Sequence, residues 1–161
     1  MIEDVQELLI GAASMGNVEF VRKAIRIGAD PKLNCSEALY LSSERGHADC
    51  VEFLIPLSDP KDYDTAFTMA AYKGHVDCVR HLMKVSDPKA NHSMALQSAS
   101  CGGQWDCMRL LIPVSDLEDM KNDDEWLIQK HGIANLQAFI EEESLREIAS
   151  STKSPKPSNG Q

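Results

Sequence analysis

The chain has 161 residues, of which 43% are hydrophobic and only 6% are aromatic. This length and apolar content are enough for one buried core, and they exclude an intrinsically disordered chain. The formal net charge is -9, and residues 115–147 alone contribute -7, because ten acids there stand against three bases. An acidic surface repels phosphates, so the composition disfavours direct nucleic acid binding.

Sequence signals for membranes and for secretion are missing. No apolar run reaches the ~18 residues of a membrane span, and no N-terminal stretch has the form of a signal peptide. The five cysteines form no CxxC pair, so we expect free thiols and not a disulfide framework. We therefore predict a cytoplasmic protein, of the producing or host cell, that does not contact a membrane and is monomeric in its free state.

A repeat organises the chain. Glycines recur at Gly16, Gly46, Gly74, Gly103 and Gly132, with spacings of 30, 28, 29 and 29. Between them, SEALYLSSERGHADCVEFLIPLSDPK and DTAFTMAAYKGHVDCVRHLMKVSDPK align without gaps. Periods of roughly 20 to 50 residues are typical of stacked units that cannot bury their apolar faces alone.

In chain order, the pattern predicts five helix-turn-helix units over about 4–33, 34–62, 63–91, 92–120 and 121–149. Ser36 and Ser93 are placed to cap the first helices of their units, and Asp49 lies in the first turn of a second helix, where the helix dipole favours an acid. The last unit is expected to end in a C-terminal cap helix, and both ends fit a complete array. Residues 150–161 lack large apolar side chains and are expected to be a disordered tail.

The segment GAASMGNVEFVRKAIRIGADPKLN at 11–34, together with two phrases of the form GHxDCV, resembles the ankyrin-repeat family. The resemblance covers about residues 4–140 and implies an all-α ankyrin-type helix-turn-helix repeat solenoid that binds partners. Two features depart from the family. SEAL, TAFT and SMAL replace its TPLH opening, and the period is shorter than the usual ~33 residues. The residues missing from the period fall between units, so we expect shortened inter-repeat loops with truncated or absent β-hairpin fingers. This short form is similar to ankyrin arrays of bacteria and their phages, which suggests a phage or bacterial effector.

Histidine, aspartate and cysteine stand close together in GHADC and GHVDC, as in metal sites and thiol enzymes. Equivalent positions in stacked units lie roughly 8–10 Å apart, so two copies cannot share one metal. The first and last units carry Phe20 and Leu136 at the cysteine position, which favours apolar filling over redox sensing. The chain has no P-loop and no GxGxxG, HExxH or GxSxG motif. We predict no metal, no cofactor and no enzymatic activity.

Positions that differ between aligned units are free to recognise a partner. They lie on the first helices and the turns before them, the side that is concave in the family that the chain resembles. We predict partner contacts at Glu37, Tyr40, Glu44, Tyr63, Thr68, Tyr72, Lys89, His92, Gln97 and Trp126. Tyr40, Tyr72 and Trp126 are the expected anchors, since aromatic residues dominate binding hot spots. The alternative is that these aromatic rings cover a neighbouring unit or, for Trp126, seal one end. The basic residues of the second helices are expected on a solvated back, at Arg22, Lys23, Arg80 and Arg109.

Two functions fit these features. The first is a non-enzymatic interaction module that binds a protein on its concave face, with inhibition by occlusion as one mode of action. The alternative is an acidic, nucleic-acid-mimicking decoy that blocks a nucleic-acid-binding enzyme of the host or of a defence system.

Overall fold

The computed structural model describes residues 2–116 and 130–151, without the side chains of residues 2, 3, 92, 130–137 and 151. Every regular element within these ranges is helical. The α-helices are α1 Ile2–Ser14, α2 Val18–Arg26, α3 Leu33–Arg45, α4 Ala48–Leu54, α5 Tyr63–Lys73, α6 Val76–Leu82, α7 Ala90–Cys101, α8 Trp105–Leu111 and α9 Lys130–Ser151. Short 3-10 turns cover Ile55–Leu57, Pro60–Asp62 and Ile112–Val114.

The helices form two layers. The first helices α1, α3, α5 and α7 pack side by side, and each also packs against its own second helix, α2, α4, α6 or α8. The second helices contact one another in the same order, and α9 packs against α7. No β-hairpin finger separates successive units in the described residues. This is the all-α helical repeat solenoid with shortened loops that the sequence predicts.

The core repeats with the units. Leu9, Leu39 and Leu96 are fully buried at one first-helix position, and Val21, Val51 and Val79 are fully buried at one second-helix position. Burying a side chain of this size contributes about 1.5–3 kcal/mol. Alanine and serine occupy the neighbouring positions and allow close helix approach, as at Ser42 and Ser43, whose hydroxyls donate to Ala38 O and Leu39 O at 2.8 Å.

The turn glycines carry the connection between neighbouring units. Gly16, Gly46 and Gly74 have φ of 72°, 80° and 82°, in the left-handed region that residues with a side chain avoid. His47 of one unit approaches Gly16 so closely that a Cβ there would overlap its ring, and its Nε2 lies 3.0 Å from Ser14 O. The histidine of the repeated GHxDC motif therefore connects the turns of two stacked units. We call this connection the strut between turns.

The entry to the first helices differs from the expected N-cap. Asn34, Cys35 and Ser36 have φ of 53°, 56° and 53°, a short left-handed turn that precedes the right-handed part of α3. Ser93 has φ 58° at the equivalent place before most of α7. No side-chain hydrogen bond caps α3 or α7. The serine hydroxyls instead accept from the inter-unit turn that follows, Ser36 from Asp59 N at 3.0 Å and Ser93 from Asp116 N at 2.9 Å.

The C-terminal part also departs from the predicted unit. Helix α9 runs without interruption through Gly132, where the repeat predicts a turn. In the repeat alignment, isoleucine at 133 replaces the histidine of the central units, so the sequence signal for a turn is weaker there. The first half of the predicted fifth unit, and residues 152–161 of the predicted tail, lie outside the described residues; Ser150 and Ser151 belong to α9.

Candidate partner-binding face

One side of the first-helix layer carries the residues that vary between units. On α3, Glu37, Tyr40 and Glu44 follow a helical spacing and are half-buried, while Ala38 and Leu39 beside them are fully buried. We call the side formed by Glu37, Tyr40, Glu44, Thr68 and Tyr72 the first-helix face. Tyr72, on α5, is 45% exposed, and the Lys73 ammonium lies 5.7 Å from its ring centroid. The face therefore presents aromatic and acidic groups together.

Other predicted contact residues have structural partners. The Tyr63 hydroxyl donates to Ile55 O at 2.6 Å and so ties the start of α5 to the preceding turn. Glu37 accepts from Asn34 Nδ2 at 3.0 Å, which supports the left-handed turn. The Glu44 carbonyl meets His75 Nε2 at 2.9 Å, so the backbone of Glu44 joins two units while its side chain stays half-buried.

The remaining predicted contacts are placed differently. Lys89 is exposed in the turn before α7, where its backbone N donates to Asp87 Oδ1 at 2.9 Å. Gln97 is only 7% exposed, so it belongs to the buried side of α7 and not to the accessible face. Trp126 and the side chain of His92 lie outside the described residues.

A groove between α5 and α7 was not anticipated. It has a volume of about 210 Å³ and is lined by Asp64, Thr65, Thr68, Met69, Asn91 and Met94. A narrower extension reaches Phe67 and Asp87. The signal that could have found this groove is in the repeat alignment, where Asp64 occupies the place of Ser36 and Ser93 but carries a charge.

The cysteines of the repeated word are core residues. Cys50, Cys78 and Cys107 are at most 1% exposed. Burial, and secondarily the neighbouring Asp77, raises the pKa of the Cys78 thiol to about 12. Burial also raises the pKa of Cys107 to about 11, with Asp106 as the second cause. These thiols are protonated at neutral pH and fill space, and no cluster of metal-ligating side chains occurs in the described part of the chain.

The sequence predicts that the basic residues of the second helices face solvent, but two of the arginines contact aromatic rings. The Arg22 guanidinium lies 4.1 Å from the ring centroid of Phe53 in the next unit, a cation-π contact. The Arg109 guanidinium likewise lies 5.5 Å from the ring centroid of Phe139. Its Nε also forms an ion pair with Glu143 Oε1 at 3.0 Å. Arg80, at the equivalent position, is exposed as expected. Two of the back-face arginines therefore stabilise the contact between units.

Comparison with protein families identifies this architecture. Residues 8–92, just over half of the chain, match a family model described as ankyrin repeats in three copies. The chain belongs to the ankyrin-repeat family. No curated protein matches it significantly, so the similarity to bacterial and phage arrays stays a prediction.

Membership of the ankyrin-repeat family indicates a protein-protein interaction module. The matched segment ends at His92, but α7 and α8 repeat the helix-turn-helix arrangement beyond it, with Gly103 at φ 65° in their turn. No helix in the described ranges is both long and apolar enough to cross a membrane. A protein partner is therefore the expected ligand of this ankyrin array.

Proposed function

We propose that this ankyrin-repeat protein is a non-enzymatic module that captures one protein partner on its first-helix face, and that it acts by covering that partner's surface. The observation that carries the proposal is Tyr72, 45% exposed on a helix whose neighbouring residues are core. A half-exposed tyrosine offers a large apolar ring and a hydroxyl at low conformational cost, as binding hot spots require.

The surroundings of Tyr72 support the same assignment. Tyr40 lies one unit earlier on the neighbouring helix α3 and is half-buried. Glu37 and Glu44 flank it on the same helix. A central aromatic pair with a charged rim is the composition of a specific protein interface. With the loops shortened, contact moves from fingers to these helices.

The acidic decoy is supported less well. In the described residues, Glu142 and Glu143 of α9 pair with Arg146 at 2.7 and 3.1 Å, and Glu143 also pairs with Arg109. Carboxylates that are neutralised within the chain mimic a phosphate backbone poorly, because the mimic must present uncompensated charge.

The test is affinity capture from the source cell, followed by binding measurements with purified partner. Tyr40→Ala and Tyr72→Ala should each weaken binding by about 1–3 kcal/mol while unfolding stays cooperative. Arg80→Glu is the matched control, because it reverses an exposed charge on the opposite layer and should cost little. If both tyrosine variants bind normally and reversal of Glu141, Glu142 and Glu143 abolishes binding, the proposal is wrong and the decoy is favoured.

A further inference from the structure

One repeated hydrogen bond ties the start of a first helix to the turn that ends its unit and leads into the next one. In the first unit, Gln6 Oε1 accepts from Asp30 N and Gln6 Nε2 donates to Asp30 O, both at 3.0 Å. Ser36 accepts from Asp59 N at 3.0 Å, and Ser93 accepts from Asp116 N at 2.9 Å. In each case the first-helix residue fastens the backbone of the aspartate in the next turn. We call this bond the joint clasp.

The joint clasp is missing in the third unit. There Asp64 occupies the position of Gln6, Ser36 and Ser93, and Asp87 is the aspartate of the following turn. No hydrogen bond joins the two residues, and Asp64 forms no ion pair within the described part of the chain. The groove lies at this joint, where Asp64 lines it and its narrower extension reaches Asp87.

One acid, Asp64, lines the groove together with polar and apolar side chains. Asp64 is half-buried, and Asp87 Oδ1 is occupied by its own turn through Lys89 N. No ion pair joins either carboxylate to Lys89, and Lys61 is engaged with Asp59 at 3.1 Å, within the described residues. Two half-buried methionine side chains, Met69 and Met94, line the wall. A half-buried carboxylate without a neighbouring cation favours a cationic ligand.

We propose that this groove is a subsite for an arginine side chain of the protein partner. The aliphatic stem lies against Met69 and Met94, whose thioethers adapt to such shapes. The guanidinium donates to the Asp64 carboxylate, and the hydroxyl of Thr68 and the amide oxygen of Asn91 accept its other N–H groups. The groove, with a volume of about 210 Å³, is large enough to admit a side chain.

The subsite rests on the proposed function and deepens it. Thr68 lines the groove and belongs to the first-helix face that also carries Tyr72, so one partner segment reaches both. The partner's contact segment is thus basic as well as apolar. Its charge matches an acidic protein, which speeds association.

The experiment uses the full chain and a defined probe, N-acetyl-arginine methylamide, titrated at millimolar concentration while backbone amide NMR shifts are followed. Shifts are expected at residues 64–69 and 90–94. N-acetyl-norleucine methylamide, which has the stem without the charge, should leave these amides unmoved. The lysine analogue should bind more weakly than the arginine probe, because a point charge cannot form the bidentate pair.

Three variants isolate the carboxylate. Asp64→Asn should weaken the probe about tenfold or more, since a hydrogen bond to a charged group is lost. Asp64→Gln installs the side chain that clasps the first joint, so it should close the groove, abolish the shifts and raise Tm by about 2–4 °C. Asp77→Asn is the control, because it removes an exposed acid from the other layer.

Uniform small shifts over the surface, or equal probe affinity in wild type and Asp64→Asn, would overturn the subsite. Its failure is separable from that of the proposed function. If the probe does not bind but the tyrosine variants still lose the partner, only the subsite is wrong. If the probe binds through Asp64 but the tyrosine variants keep the partner, the first-helix face is not the principal contact surface.

Discussion

The contact between His75 and Gly46 permits a quantitative test of how the units are joined. His75 Nε2 lies 2.9 Å from Glu44 O, and a Cβ on Gly46 would lie 2.5 Å from His75 Nδ1. Gly46→Ala should therefore introduce two costs. The left-handed φ of 80° costs about 1–2 kcal/mol for a residue with a side chain, and the overlap with the ring adds about 1–3 kcal/mol.

His75→Ala removes the ring and the hydrogen bond. The bond contributes about 0.5–1.5 kcal/mol, and the loss of ring packing adds to that cost. In the His75→Ala background, the new Cβ of Gly46→Ala has no ring to overlap, so only the cost of the backbone strain remains. The double variant should thus be less destabilised than the sum of the single variants, by the overlap cost of about 1–3 kcal/mol.

Urea unfolding followed by far-UV circular dichroism measures this cycle, with equal m-values required for the comparison. Gly28→Ala is the control, because Gly28 has φ 109° but a Cβ there meets nothing within 4 Å. Gly28→Ala should lose stability through backbone strain alone, and its free-energy cost should be additive with that of His75→Ala. Additivity between Gly46→Ala and His75→Ala would refute the strut between turns.

Three further predictions concern the core and the second-helix side. Cys78→Ala should lower the free energy of unfolding by about 1–2 kcal/mol through a small cavity, without changing partner affinity, and chelators should leave Tm unchanged; stoichiometric metal in the purified protein would contradict this. Because burial raises the pKa of Cys78 to about 12, while an exposed thiol has a pKa of about 8.5, its contribution to stability is complete below the pKa of the exposed thiol and is lost as pH rises towards 12. Unfolding experiments across that range should show a slope of at most about 1.4 kcal/mol per pH unit from this thiol, and the slope should shrink in Cys78→Ala. Finally, Arg22→Met should cost about 0.5–1 kcal/mol more than Arg80→Met in urea unfolding, because Arg22 lies over the ring of Phe53 whereas no ring contact is found for Arg80 in the described residues. Equal costs would show that the cation-π contact contributes nothing.

The fold could be predicted well from the sequence, because the signals that specify it are local and recur in every unit. The turn glycines, the acids at the second-helix starts and the apolar positions recur in register, and each copy supports the others. The buried positions of Cys50 and Cys78 followed from comparing units, and their exposure of at most 1% confirms the prediction. The binding surface was harder to predict, because a position that varies between units can either contact a partner or pack inside the protein. Gln97 varies between units but is 7% exposed.

By itself, the sequence determined the helix-turn-helix unit, its stacking and the absence of a motif for chemistry, because these depend on residue type and spacing. Only the tertiary structure decided how neighbouring units meet. It placed Ser36 in a left-handed turn bonded to Asp59, brought Arg22 over Phe53, and left the joint at Asp64 without a clasp. The physical reason is that these features depend on the relative register of two units and on the sign of φ at single residues. Neither quantity is encoded in the pattern of any one repeat.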